Sequence, residues 1–79
     1  SDFCKMLTYK NDSSFMVNYS AIKSLLILNS NFEKLDPVKI LQKFQGSNGG
    51  YKYSINEEEM ASIVPTYLSL SLLSELEIN

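Results

Sequence analysis

Apolar residues recur through this chain at the three- and four-residue steps of a helix rather than the two-residue step of a strand. Phe15, Tyr19, Ile22 and Leu26 form one such stripe, and Val17, Ala21, Leu25 and Leu28 widen it. The pattern predicts a helix running to about Asn29 and buried over more than half its circumference. Asp12, Ser13 or Ser14 is positioned to cap it, because their side-chain oxygens accept from unpaired first-turn amides. Ahead of it, Phe3, Cys4, Met6 and Leu7 make a short apolar patch with helical spacing, separated by the polar run Lys10 to Ser14.

Asp36-Pro37 predicts a second start: an acidic N-cap followed by proline, whose missing amide costs nothing in the first helical turn. Val38, Ile40, Leu41 and Phe44 supply the apolar face of a short helix over roughly Pro37 to Gln45. Lys39 and Lys43 suit its negative end, and Gly46 is expected to close it in the left-handed conformation. Ser47 to Gly50 reads as loop, and Tyr51 to Ile55 alternates in the manner of a brief extended segment, with an ordered loop as the alternative. Asn56 followed by Glu57, Glu58 and Glu59 resembles a capping box and predicts a helix from about Glu57 to Val64. Pro65 is expected to kink or break it before a last helix over Thr66 to about Glu77. There, Tyr67, Leu70 and Leu73 form one row and Leu68, Leu72 and Leu76 another, a breadth that implies packing on two sides.

The last helix echoes the first about 48 residues on. Tyr19, Ile22, Leu25 and Leu28 fall on Tyr67, Leu70, Leu73 and Leu76. Stacked helical pairs produce such a recurrence, since each unit leans its uncovered face on the next. The expected fold is therefore all-α, a small helical domain of four to five helices, arranged as stacked pairs. Residues 1–79 are read as one helical domain or as a fragment of a larger helical-repeat protein.

Composition narrows the function. The chain is 44% hydrophobic, which places it among globular rather than disordered sequences. Its seven basic residues are scattered lysines against nine acidic residues, with no arginine, so nothing resembles a phosphate-reading patch and nucleic acid is not an expected partner. The longest apolar run, Leu25 to Leu28, falls far short of the ~20 residues of a membrane span. Cys4, the single cysteine, has no internal partner and fits a reducing compartment, with the cytoplasm favoured. Histidine is absent, which removes the usual neutral-pH base and the commonest zinc ligand. Asp36, Glu57, Glu58 and Glu59 are explained by capping. Gly46 to Gly50 reads as a helix stop and turn, because no lysine with a following Ser or Thr completes a phosphate loop. No catalytic residue, metal ligand or cofactor site is expected.

Tyrosine is the side chain left with recognition chemistry, a large ring with a polar tip. Tyr19 and Tyr67 are expected in the core by their helical register, although Tyr67 is also a candidate recognition residue. Tyr51 and Tyr53, beside two glycines, and the neighbouring Phe44 complete the candidate partner-binding set of Phe44, Tyr51, Tyr53 and Tyr67.

Phe44-Gln-Gly-Ser-Asn-Gly-Gly-Tyr51, followed after an acidic stretch by Thr66-Tyr67-Leu-Ser-Leu-Ser-Leu-Leu73, resembles a repeat of the α/α-toroid proteins, the protein prenyltransferase β subunits and terpenoid cyclases. The resemblance covers roughly residues 15 to 76. It implies a stacked helical-pair fold and, by analogy with isoprenoid-handling enzymes, an apolar ligand pocket lined by Tyr51, Tyr53 and Tyr67. Asn48 stands where those repeats commonly carry an acidic residue. The chain has no tryptophan for the cyclases' Gln-Trp repeats, no Asp-rich acid motif and no histidine for the prenyltransferase zinc site, so no catalytic role carries over. A closed toroid needs several more helical pairs, which would make this chain a piece or a reduced relative.

Two readings follow. The first is a non-catalytic helical module that binds another protein, or another copy of itself, through surplus apolar helix face. The alternative is a fragment or relative of an isoprenoid-handling toroid enzyme with an apolar pocket. A small inhibitor or immunity-type protein also fits the size and acidic balance.

Overall fold

The computed structural model describes residues 13–28, 36–56 and 58–76. Among them are three helices, α1 (Phe15–Ile27), α2 (Pro37–Gln42) and α3 (Ile63–Glu75), and no strand. The all-α expectation is met at this level. The apolar patch at Phe3 to Leu7 lies outside the described residues.

Ser14 caps α1, its hydroxyl accepting from the Val17 amide at 3.5 Å, and Leu28 closes the helix one residue short of Asn29. Asp36 caps α2 through Oδ1, which accepts from the amides of Val38 and Lys39 at 3.1 and 3.3 Å. This helix stops at Gln42, but three successive tighter turns, in which the amides of Lys43, Phe44 and Gln45 donate to the carbonyls of Ile40, Leu41 and Gln42, carry the coil on to Gln45. Gly46 does not take the left-handed role expected of it. The glycine with positive φ is Gly49 (φ 90°), at the tip of a loop that returns the chain to pair Gln45 with Tyr51.

The helix expected over Glu57 to Val64 is not formed across the described residues 58–62. Asn56 begins the cap, Oδ1 accepting from the Glu58 amide at 3.0 Å, and the Glu59 amide donates to the Asn56 carbonyl at 3.1 Å. A capping box would then turn the Glu59 carboxylate onto the Asn56 amide. It accepts instead from the Ser54 amide at 2.7 Å, and the turn does not propagate. Pro65 likewise breaks nothing, because it is the third residue of α3. The first four amides of a helix have no intrahelical partner, so the proline removes no bond there, and the carbonyl its ring would meet four residues back lies outside the helix.

Phe15, Ile22, Leu41, Phe44, Tyr51 and Leu72 make the core, with Tyr19, Leu26, Ile40, Leu68, Leu73 and Leu76 packed around it. Phe15 is its pivot, edge-on to Phe44 (centroids 5.5 Å apart, 85°) and stacked on Tyr19 (5.8 Å, 20°). The segment 51–55 threads between the helices rather than forming a strand. Tyr51 bridges to both Gln45 and Ser62, the Lys52 amide donates to the Phe44 carbonyl, and the Phe15 amide donates to the Tyr53 carbonyl at 2.8 Å.

The helices α1 and α3 have equal length, start and stop 48 residues apart, and each follows a serine at the N-cap. Their buried faces do not match in that frame. Helix α1 buries Phe15, Ile22 and Leu25, whereas α3 buries Pro65, Ser69 and Leu72, so the later inward positions align at a spacing of 47 rather than 48. One residue is a rotation of about 100°. Ile22 therefore points inward where its counterpart Leu70 points out, and Tyr19 is half-buried where Tyr67 is exposed. The core position expected for Tyr67 is overturned by this rotation. Val17 and Leu28 of the expected α1 stripe are also exposed.

Candidate functional site

The four candidate residues divide by depth. Phe44 is fully enclosed against Phe15, and Tyr51 is buried beside it, its backbone held from three sides. Both position the thread 51–55. Tyr53 and Tyr67 reach solvent, at 41% and 68% exposure.

Tyr67 belongs to a stripe that coincides with neither of the two apolar rows of the last helix. Ile63, Tyr67, Leu70 and Ser74 follow one another along α3 at steps of four, three and four, directly opposite Pro65, Ser69 and Leu72. Ile63 is 87% and Leu70 56% exposed, and Val64 flanks them. The signal was present in the row Tyr67–Leu70–Leu73, but the choice between it and the row Leu68–Leu72–Leu76 depends on which face α1 covers. Exposed apolar residues also stand at both ends of α1, Met16 and Val17 at one and Ile27 and Leu28 at the other, with Ser20 and Ser24 between.

A fixed loop adjoins the start of α3. The Thr66 hydroxyl accepts from the Tyr51 amide and donates to the Ser62 carbonyl, while the Ser62 amide donates to the Tyr51 carbonyl. The Gly50 backbone packs on Ala61. Thus the two sequence segments that carry the toroid resemblance, Gly49-Gly50-Tyr51 and Thr66-Tyr67, meet in space.

Beside this loop lies a cavity of about 410 Å³ whose lining includes Gln45, Asn48, Lys52, Glu58 and Glu59. Its lining includes none of Tyr51, Tyr53 and Tyr67. Lys52 is buried to 7% exposure, and its ammonium donates to the Asn56 carbonyl at 3.0 Å, which ties the thread to the turn before the acidic run. Among the described residues no three His, Cys, Asp or Glu side chains are grouped to share a metal ion, and no helix is long and apolar enough to cross a membrane.

The chain matches no family model, no curated protein and no solved structure. Its functional reading rests on its own residues.

Proposed function

We propose that this chain is a non-catalytic helical module that binds another protein, or a copy of itself, through an exposed apolar helix face. The observation that carries this reading is the outward stripe of α3, Ile63, Tyr67 and Leu70, on a helix whose opposite face is already used in the core. A helix that only closes a domain places polar residues on its outer side. Here no residue from Met60 to Ser74 is charged. Tyr67 is the anchor, with an apolar ring to bury and a phenol to pair at the rim. Tyr53 is a second exposed ring, while Phe44 and Tyr51 serve by holding the framework.

An apolar dye tests the reading. Anilinonaphthalene sulfonate added to dilute, fully folded chain is expected to brighten. Leu70→Glu should remove most of that signal and leave the circular dichroism and urea midpoint unchanged. A folded monomer that leaves the dye dark ends the proposal.

A second reading, a fragment or relative of an isoprenoid-handling toroid enzyme, is favoured by the meeting of Gly50-Tyr51 with Thr66. Titration with a prenyl diphosphate, followed by tyrosine fluorescence, tests it, and an unchanged spectrum removes it.

A further inference from the structure

We infer that two copies of this chain pair through α3, antiparallel across a two-fold axis that passes beside Tyr67. The inference rests on the interaction reading above and names its partner. Four features of the helix support it.

The first is spacing. Ile63 lies four residues before Tyr67 and Leu70 three after it, so the stripe is nearly symmetric about the tyrosine. Antiparallel pairing sets Ile63 against the Leu70 of the second copy and brings the two Tyr67 rings together at the axis. An isologous contact requires this kind of self-complementary patch.

Charge is the second. With no charged residue between Met60 and Ser74, a second α3 meets this surface without like-charge repulsion and without stripping an ion of water. A charged partner would find no counter-ion on it. The first charge beyond the stripe, Glu75, is engaged by Lys23 of α1 at 2.7 Å.

Area is the third. Bare, a tyrosine exposes on the order of 200 Å² and the aliphatic residues somewhat less. At their exposures, Ile63, Val64, Tyr67 and Leu70 leave roughly 500 Å² on each copy, the scale of a functional patch. Pairing that covered all of it would remove up to about 1,000 Å² from water, which reaches the lower bound for a specific contact.

The fourth is rigidity. The first turn of α3 is fixed to the thread by the Thr66 hydroxyl and the Ser62–Tyr51 pairing, so the stripe is presented on a held element and little ordering opposes association.

Sedimentation velocity on the full chain, from micromolar to millimolar, is expected to show a reversible dimer. Leu70→Glu should weaken it about thirtyfold or more, the effect of a central interface side chain, while Val17→Glu, on the outer face of α1, should leave it intact. In a Cys4→Ser background, Tyr67→Cys should oxidise to a symmetric disulfide dimer much faster than Val17→Cys. A chain that stays monomeric throughout overturns the inference, as do equal losses in the two glutamate variants or equal cross-linking rates in the two cysteine variants. A monomer that still brightens the dye, and loses that signal with Leu70→Glu, refutes self-pairing alone. A monomer that leaves the dye dark refutes the interaction reading as well.

Discussion

The Thr66 hydroxyl accepts the Tyr51 amide at 2.8 Å while donating its own proton to the Ser62 carbonyl at 2.6 Å. One side chain therefore joins the first turn of α3 to the core thread and steadies the N-cap at Ser62, which makes no side-chain cap of its own. Thr66→Val keeps the shape and leaves the partly buried Tyr51 amide unpaired, which should cost about 1–3 kcal/mol. Thr66→Ser retains the hydroxyl and should lose well under half of that. Urea unfolding of the three proteins checks the order, and equal losses in the two variants would show that packing rather than the hydroxyl matters.

Gly50 and Ala61 approach too closely for a second side chain. A Cβ on residue 50 would meet the Ala61 Cβ at 2.8 Å and the Thr66 hydroxyl at 3.3 Å. Gly50→Ala is expected to destabilise by about 1–3 kcal/mol through overpacking. Adding Ala61→Gly should recover part of that loss despite glycine's own cost, giving a positive coupling in a double-mutant cycle. Strict additivity would remove the steric explanation.

Local chemistry made much of this fold legible. Asp36-Pro37 marks a helix start by bonding within three residues, and the Phe15–Ile22 stripe records a face that is buried in the fold. What escaped the sequence depends on competition between distant groups. The Glu59 carboxylate is suited by position to a capping box, but it accepts from the Ser54 amide while the Asn56 amide donates to the Ser54 hydroxyl. Pro65 reads as a breaker until the helix is seen to begin two residues before it. Leu70 and Leu72 are equally apolar members of two neighbouring rows, and which of them turns inward depends on packing against α1 and the core. The outward stripe of α3 was therefore written in the chain as surplus apolar surface, with its direction left open.

Ser69 is fully buried on the inner face of α3, and among the described residues its hydroxyl has no hydrogen-bond partner. Removing that oxygen relieves a desolvated polar atom and improves helix propensity, while the cavity left is smaller than a methyl group. Ser69→Ala should accordingly raise stability by about 1 kcal/mol, read as a higher urea midpoint with an unchanged slope. A clear loss would show that the hydroxyl is satisfied in solution.

Lys23 and Glu75 join α1 to α3 at the surface, Nζ to Oε1 at 2.7 Å. The hydrogen bond to Glu75 is the main cause that raises the Lys23 pKa above its ordinary value. Desolvation opposes it, and the charges of Glu75 and Tyr19 add to the rise. A folded-state pKa above the unfolded one means that the pair's contribution is fully present below the ordinary lysine range. It is lost as pH climbs through the raised value, where the folded state no longer holds the extra proton. The pair is solvent-exposed, so its contribution is small and salt weakens it. Glu75→Gln should accordingly lie slightly below the parent in urea midpoint at neutral pH and low salt, and the gap should close toward strongly alkaline pH or high salt. Because the remaining lysines and tyrosines titrate in both proteins, the difference between the two curves isolates this pair. A gap that stays constant across that range would assign the effect of the substitution to something other than the Lys23 proton.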